Sequence, residues 1–242
     1  MVHLNDILGY ESLKIYQDDD YFTFSLDSVI LSNFTSIRHR DKKIVDFCTG
    51  NGVIPIIISQ RCLCDIYGVD IQNELIELAN QSVLYNHLEN RIKFVCQDVQ
   101  DFSLEHLNEF DLVLCNPPYF KVNSKNSFSK SYYKMVARHE VLIDLDKICK
   151  SANRVLKDNG VFSLVHRTDR LIEILLVLRK YNLEPKTIKF VHNTFSDTST
   201  LVLIQSQKCG KVGLKVLKPF ILRNSDGTFT EEYKRLQEEI IV

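Results

Sequence analysis

The sequence predicts an α/β fold built on a mostly parallel, seven-stranded sheet with helices on both faces. Two observations carry this prediction. Between residues 41 and 181, apolar segments of strand length alternate with amphipathic segments of helical length, which is typical of parallel strands joined by right-handed crossovers. Two further strand-like segments, 187–194 and 200–206, are joined by only a few residues, so we expect this final pair to be antiparallel.

The predicted elements follow from apolar runs and helical periodicity along the chain. Strands are predicted at 43–47, 65–70, 92–97, 110–115, 161–165, 187–194 and 200–206. Helices are predicted from Ser25 to Phe34, at 52–61, 72–87, 142–156 and 169–181, and after Thr230. The sequence therefore divides into an N-terminal cap segment (1–40) that we expect to pack on the core, a core (41–207), and a basic C-terminal extension of the same domain (208–242).

Composition excludes several classes of protein. Apolar residues make up 45% and charged residues 25% of the 242 residues, as in ordinary globular proteins. The net charge of −1 excludes a uniformly basic nucleic-acid coat but leaves room for a local basic patch. No apolar run approaches the ~20 residues of a membrane helix. Seven cysteines without a CxxC motif predict reduced, structural thiols and a cytoplasmic location, with no metal site.

A glycine-containing turn follows the first predicted strand of the core. It reads Asp46-Phe47-Cys48-Thr49-Gly50-Asn51-Gly52, and small residues there let the backbone approach a ligand closely. The spacing is not GxGxxG, which disfavours a dinucleotide. Asp46, at the strand end, can accept a hydrogen bond from a cationic amino group, directly or through water.

Acidic residues also end the next two strands. A carboxylate at Asp70 can accept from both hydroxyls of a ribose, and Asp98 can accept from the amino group of an adenine. Either residue alone is more often a helix cap or a solvated charge. Together with the glycine turn, they resemble the S-adenosylmethionine-binding motifs of class I methyltransferases, which have a Rossmann-like fold. The resulting cofactor-binding set is Asp46, Cys48, Gly50, Gly52, Asp70, Ile71, Asp98, Val99 and Asn116.

This pattern departs from the family at one position. Cys48 stands where the family often has glycine. Because the cysteine side chain is small, we expect cofactor binding to survive with local adjustment.

The fourth strand runs directly into Asn116-Pro117-Pro118-Tyr119. The prolines fix the backbone and remove two N–H donors. The Asn116 side-chain oxygen and the Pro117 carbonyl can then accept both hydrogens of a planar amine, while the Tyr119 ring stacks on the substrate. An isolated Asn-Pro is a common turn. Its place after the fourth strand predicts instead a site that methylates nitrogen, with Asn116, Pro117 and Tyr119 as catalytic residues and no strong general base.

Two segments are free of acidic residues. Residues 117–139 interleave aromatic rings with Lys121, Lys125, Lys130, Lys134 and Arg138, and residues 205–223 carry four lysines and Arg223. Solvated surface loops would also have this composition. In a nearly neutral protein the clustering favours contact with nucleic-acid phosphates and bases, so the first five basic residues are the predicted RNA-binding set.

The chain resembles the bacterial tRNA1(Val) adenine-37 N6-methyltransferases. The resemblance rests on the segments 21–27, 116–120, 137–140 and around 213–216. It implies S-adenosylmethionine as cofactor, a tRNA substrate whose adenine lies in the single-stranded anticodon loop, and a monomer. His139, between Arg138 and Glu140, is interpreted as part of a structural cluster, whereas Phe24 and Asp27 either cover the cofactor or begin a helix.

Several other activities remain open from the sequence. A glutamine N5-methyltransferase of a release factor or ribosomal protein shares the Asn-Pro-Pro-Tyr motif but does not need two basic segments. An rRNA or DNA amino-methyltransferase is a further alternative. An RNA-binding protein with an inactive cofactor pocket is disfavoured by the intact glycine turn and acidic residues.

Overall fold

A central sheet and the helices on its two faces form most of the chain. The computed structural model describes residues 1–21, 25–117 and 144–237. The strands are β1 Val2–Ile7, β2 Tyr10–Asp18, β3 Lys43–Phe47, β4 Asp65–Asp70, β5 Ile92–Cys96, β6 Phe110–Cys115, β7 Leu156–Arg167, β8 Leu183–His192, β9 Leu201–Lys208, β10 Lys215–Val216 and β11 Phe220–Ile221. The helices are α1 Leu26–Phe34, α2 Val53–Ser59, α3 Asn73–Tyr85, α4 Val99–Glu105, α5 Leu145–Val155, α6 Leu171–Lys180 and α7 Glu231–Gln237.

The strand order confirms the predicted fold class. The sheet runs β10-β8-β9-β7-β6-β3-β4-β5, with β11 also on β8. Neighbours from β7 through β5 are parallel, and β9 is antiparallel to both β7 and β8. The seven predicted strands are therefore present with their antiparallel final pair. Within the described residues, the sheet gains two short strands, β10 and β11, that the sequence did not predict.

The two faces of the sheet carry separate apolar clusters. Side chains alternate across a strand, so Ile44 of β3 packs with α1 and α2 on one face, while Val45 and Phe47 pack with α4, α5 and α6 on the other. All these side chains are buried, as expected for central parallel strands covered on both faces.

The N-terminal segment begins with a hairpin that the sequence did not predict. β1 and β2 pair antiparallel, and α3 covers the free edge of β2. Ser82 accepts from the Tyr16 amide at 2.9 Å, and Asn86 exchanges two hydrogen bonds with the Lys14 backbone at 3.0 and 2.7 Å. Side chains one helical turn apart thus satisfy the edge of the hairpin and fix it to the core.

Candidate cofactor and active site

The carboxyl ends of four parallel strands meet at one edge of the sheet. Phe47 at the end of β3 is level with Val69 of β4 and with Cys115 of β6, and Asp70 is level with Cys96 of β5. The residues that follow these strands therefore converge. The structure brings together at this edge the predicted residues Asp46, Cys48, Gly50, Gly52, Asp70, Ile71, Asp98, Val99, Asn116 and Pro117.

The turn after β3 is built on left-handed backbone. Cys48, Gly50 and Gly52 have φ of 57°, 55° and 83°. L-residues other than glycine disfavour this region because Cβ approaches the carbonyl oxygen. Cys48 thus adopts a backbone conformation that glycine adopts most easily.

The two glycines of the turn have different surroundings. A Cβ built on Gly50 would meet nothing within 4 Å, whereas one on Gly52 would lie 2.4 Å from the Phe94 ring. Gly50 therefore borders open space where a ligand can approach. Position 52 requires glycine for packing, because the Phe94 ring of β5 fills the space that a Cβ would occupy.

Asp46 is a buried carboxylate without a counter-charge. It is fully buried, and neither of its oxygens has a hydrogen-bond partner among the described residues; the same holds for the nearby Thr49 hydroxyl. Burial, opposed by the adjacent Thr49 hydroxyl and reinforced by Asp70, raises the pKa of Asp46 well above its usual range. Unsatisfied buried oxygens are costly, so this corner of the site fits a donor-rich cationic group such as the ammonium of an amino acid.

Asp70 is oriented by the backbone around it. One oxygen accepts from the Gly50 amide at 2.9 Å, and the other accepts from the Gln72 amide at 3.1 Å. Burial raises the pKa of Asp70 despite these hydrogen bonds. Each carboxylate oxygen has two lone pairs. The oxygen bonded to Gly50 therefore retains acceptor capacity for a ribose hydroxyl, whereas the other also accepts from the Gln72 side chain at 3.4 Å, a long bond that a second hydroxyl can displace. Ile71, which follows it, is 38% exposed and offers an apolar surface to a base.

Asp98 begins α4 as its N-cap. Its Oδ1 accepts from the Gln100 amide at 2.7 Å, so the helix-cap role considered for this residue is present. The Gln97 amide donates to the Asp70 carbonyl at 2.9 Å and draws the two acidic residues together. Val99 is buried and anchors the start of the helix, which leaves the second Asp98 oxygen at the edge where an adenine amino group is expected.

Asn116 is linked to helix α1, a contact that sequence reasoning missed. Its Nδ2 donates to the Ser28 hydroxyl at 2.9 Å across 88 residues of sequence. Ser28 is buried and Asn116 is half-buried. This bond fixes the orientation of the amide, so that Oδ1 is the end directed away from Ser28. Nothing in the local sequence around Asn116 signals its partner, because only the fold places α1 against the end of β6.

Several predicted residues lie outside the described part of the chain. These are Tyr119, the RNA-binding set Lys121, Lys125, Lys130, Lys134 and Arg138, and also Phe24 and His139. Within the described residues, no group of three or more His, Cys, Asp or Glu side chains is placed to hold a metal ion. No described helix is both long and apolar enough to cross a bilayer.

One lysine of the second basic segment has a structural role. Lys208 is buried, and its ammonium donates to the Asn108 side chain at 2.7 Å and to the carbonyls of Asn153 and Leu156 at 2.8 and 2.7 Å. It is therefore occupied inside the protein and does not belong to a phosphate-binding surface. Lys211, Lys215 and Lys218 of the same segment are exposed.

The fold and this constellation define a class I methyltransferase. The chain belongs to the family described by the methyltransferase domain model, which matches residues 38–208. An O-methyltransferase predicted in Agrobacterium tumefaciens shares the fold, with a TM-score of 0.70, 18% identity and coverage of 87% of this chain and 95% of that one. Geranyl diphosphate C-methyltransferase from Streptomyces coelicolor, solved with S-adenosyl-L-homocysteine, follows with a TM-score of 0.57, 12% identity and coverage of 76% and 80%.

Curated relatives confirm the resemblance seen in the sequence. The tRNA1(Val) (adenine(37)-N6)-methyltransferase of Phocaeicola vulgatus is 28% identical over 239 residues, which are 97% of each chain. The protein of the same name from Flavobacterium psychrophilum is 23% identical over 94% of this chain and 95% of its own.

Proposed function

We propose that this protein is an S-adenosylmethionine-dependent N6-adenine methyltransferase that acts on adenine 37 in the anticodon loop of tRNA1(Val). The observation that carries the proposal is the Asn116 amide, held by Ser28 at the same edge of the sheet as Asp46, Asp70 and Asp98. The near full-length similarity to curated enzymes of that name supports the choice of substrate.

Each part of the cofactor has a matching group in the site. The buried Asp46 carboxylate suits the ammonium of the methionine moiety, and the oriented Asp70 carboxylate suits the ribose hydroxyls. Asp98 and the Val99 backbone suit the adenine ring, with Ile71 against its face. When bound, the cofactor supplies an electrophilic methyl group on a sulfonium.

The residues of the chain act mainly by positioning the target nitrogen. The Asn116 oxygen and the Pro117 carbonyl accept the two hydrogens of the adenine amino group. These hydrogen bonds would draw the nitrogen toward tetrahedral geometry and orient its lone pair for transfer. The C–S bond of the sulfonium would break as the N–C bond forms, and the nitrogen would release one proton to solvent. Fixing both acceptors before the reaction lowers the entropic part of the barrier and stabilises the charge that develops on nitrogen. An adenine in a single-stranded loop is also cheaper to extrude than a paired base.

A glutamine amide would present the same two hydrogens, so substrate class needs a direct experiment. Purified protein is incubated with methyl-labelled S-adenosylmethionine and unmodified total tRNA, rRNA, DNA or a release factor. We expect label in the tRNA fraction. Label confined to the release factor, rRNA or DNA would show that the substrate assignment is wrong.

Two further properties belong to the proposal. We propose a cytoplasmic location, supported by seven cysteines that are all free thiols in the structure. We also propose that the protein works as a monomer, which equilibrium sedimentation at enzyme-assay concentrations would test.

A further inference from the structure

An exposed aromatic ring stands at the same sheet edge as Asn116. Phe195, in the loop between β8 and β9, is 82% exposed. The ends of β7 and β8 and the start of β9 are level there, since Leu201 pairs with both Arg167 and Val191. Cys115 of β6 is level with Leu164 of β7. Two strand spacings separate β6 from β9, roughly 10 Å across the sheet, and Arg167 and Leu201 lie three residues beyond the level of Cys115, roughly 10 Å further along the strands.

The loop that carries the ring is internally braced. The Asp197 carboxylate accepts from the Thr194 amide at 2.9 Å and from the Asn193 side chain at 3.2 Å. The backbone carbonyl of Asp197 accepts from His192 Nδ1 at 2.8 Å. The hydrogen bonds from Thr194 and Asn193 hold the pKa of Asp197 below its usual range. The carboxylate therefore remains ionised and clamps the loop at neutral pH.

Both neighbouring segments also hold the loop. The Thr168 amide donates a hydrogen bond to the Thr200 carbonyl at 3.1 Å, and the hydroxyls of Thr168 and Ser199 are hydrogen-bonded at 3.0 Å. On the other side, the Arg223 amide donates to the Asn193 carbonyl at 2.8 Å. The loop thus presents an apolar ring to solvent from an ordered support beside the active edge.

We propose that Phe195 is a stacking platform for a nucleobase of the RNA strand that flanks the methylated adenine. The inference rests on the proposed function and extends its substrate site. A flat ring can stack on any base, and single-stranded loops present unstacked bases. The exposed neighbours Asn193, Ser196, Asp197 and Thr198 are polar. A lone ring among hydroxyl, amide and carboxylate groups suits a base and its ribose better than the wider apolar patch of a protein partner.

Substitutions at Phe195 separate stacking from general apolar contact. Phe195→Leu keeps an apolar side chain and removes the ring, whereas Phe195→Tyr keeps the ring. Leu63→Ala is the matched control, because Leu63 is 92% exposed and precedes β4 at the opposite edge of the sheet. The measurements are KM for tRNA and for an anticodon stem-loop, kcat, cofactor Kd and melting temperature.

The proposal predicts a selective loss of substrate affinity in one variant. Phe195→Leu raises KM for both RNAs at least about fivefold, the lower end of the effect of losing one stacked base. Its kcat and cofactor Kd stay within about twofold of wild type, and its melting temperature stays within about 2 °C. All values for Phe195→Tyr and Leu63→Ala stay within the same limits. An unchanged KM in Phe195→Leu, or a Tyr variant as weak as the Leu variant, would overturn the inference while leaving the proposed function intact. Wild-type protein that labels no RNA would overturn both.

Discussion

At the scale of single residues, the site contains a buried carboxylate that destabilises the fold and an amide whose orientation is fixed by a hydrogen bond. Asp46 is a carboxylate buried without a hydrogen-bond partner among the described residues, whereas the Asn116 amide is fixed by Ser28. The residue types at positions 46 and 116 could be predicted from sequence as site residues because Asp46 lies near the end of an apolar strand and Asn116 directly follows another. The lack of a hydrogen-bond partner for Asp46 among the described residues, and the contact of Ser28 with Asn116, could not be predicted. Both depend on tertiary packing.

Replacing Asp46 by asparagine is expected to stabilise the cofactor-free protein and to weaken cofactor binding. The pKa of Asp46 in the folded state lies above its unfolded value of about 3.9. Ionisation therefore opposes folding, and this penalty is absent below pH ~4 and grows as the pH rises toward the folded pKa. The Asp46→Asn variant should accordingly melt higher than wild type by a margin that widens with pH, while its Kd for S-adenosylmethionine increases.

The control for this experiment is Asp65→Asn, at the exposed start of β4. It should alter neither melting temperature nor cofactor Kd. A variant at position 46 that melts lower than wild type at pH 7, or binds the cofactor equally well, would refute the role given to this carboxylate.

Removing the Ser28 hydroxyl is expected to slow methyl transfer without weakening binding. In Ser28→Ala the Asn116 amide loses the bond that sets its orientation, and a lost hydrogen bond of about 1–1.5 kcal/mol corresponds to a roughly tenfold lower kcat. Steady-state kinetics and cofactor titration would measure kcat, KM for tRNA and Kd.

Ser32→Ala provides the matched control for Ser28→Ala. Ser32 lies one turn further along α1, is equally buried and donates to the Ser28 carbonyl at 2.8 Å. It should lose stability of similar size but retain kcat. Equal kcat losses in the two variants would assign Ser28 a purely structural role. In an Asn116→Asp background, where both ends of the side chain are oxygens, the effect of Ser28→Ala should shrink.

At the scale of secondary-structure elements, apolar patterning predicted the main strands of the sheet. It did not predict the N-terminal hairpin or helix α4. β3, β4 and β6 begin and end where the sequence placed them, because strands buried on both faces are almost wholly apolar. Helix α4 was missed because it buries only Val99, Phe102 and Ser103, which gives its seven residues a weak apolar pattern. The hairpin was not predicted because the acidic run 18–20 favours a solvent-exposed segment. Leu13 and Ile15 are nevertheless buried against α3 and the elements beside it.

The turn after β3 offers a test of backbone conformation. A β-branched residue strongly disfavours the left-handed φ found at Cys48. We expect Cys48→Val to lower the free energy of unfolding by about 2 kcal/mol or more and to weaken cofactor binding. Cys48→Gly relieves the strain but adds unfolded-chain entropy of similar size, so its stability should stay within about 1 kcal/mol of wild type. Urea titrations would show the difference, and a Val variant as stable as the Gly variant would contradict the left-handed assignment.

At the scale of the whole molecule, the sheet separates two functional halves. The glycine turn follows β3, Asp70 ends β4 and Asp98 follows β5, and we propose that this half of the sheet binds the cofactor. Asn116 and the Phe195 loop follow β6 and β8, on the side where we propose that RNA binds. The near-neutral total charge conceals this division, and the local clustering of basic residues, above all in the run after Asn116, indicated it in the sequence.

Neutralising that basic run is expected to weaken tRNA binding mainly at low salt. Lys125→Ala with Lys130→Ala removes two cations from the predicted RNA-binding set. If both contact phosphates, the slope of log affinity against log salt should become shallower by about 1.4–1.8. Lys93→Ala is the control, because Lys93 is exposed on β5 at the opposite edge strand, and its slope should match wild type. An unchanged slope in the double variant would exclude these lysines from the interface.

The most direct test of the central claim is the position and chemistry of the transferred methyl group. Unmodified tRNA1(Val) transcript and a matching transcript with guanine in place of adenine 37 are incubated with the protein and S-adenosylmethionine, digested to nucleosides and analysed by mass spectrometry. The account predicts one N6-methyladenosine per wild-type transcript, none in the substituted transcript, and none with Asn116→Ala. Methylation that persists without adenine 37, or that occurs at an atom other than N6, would contradict it.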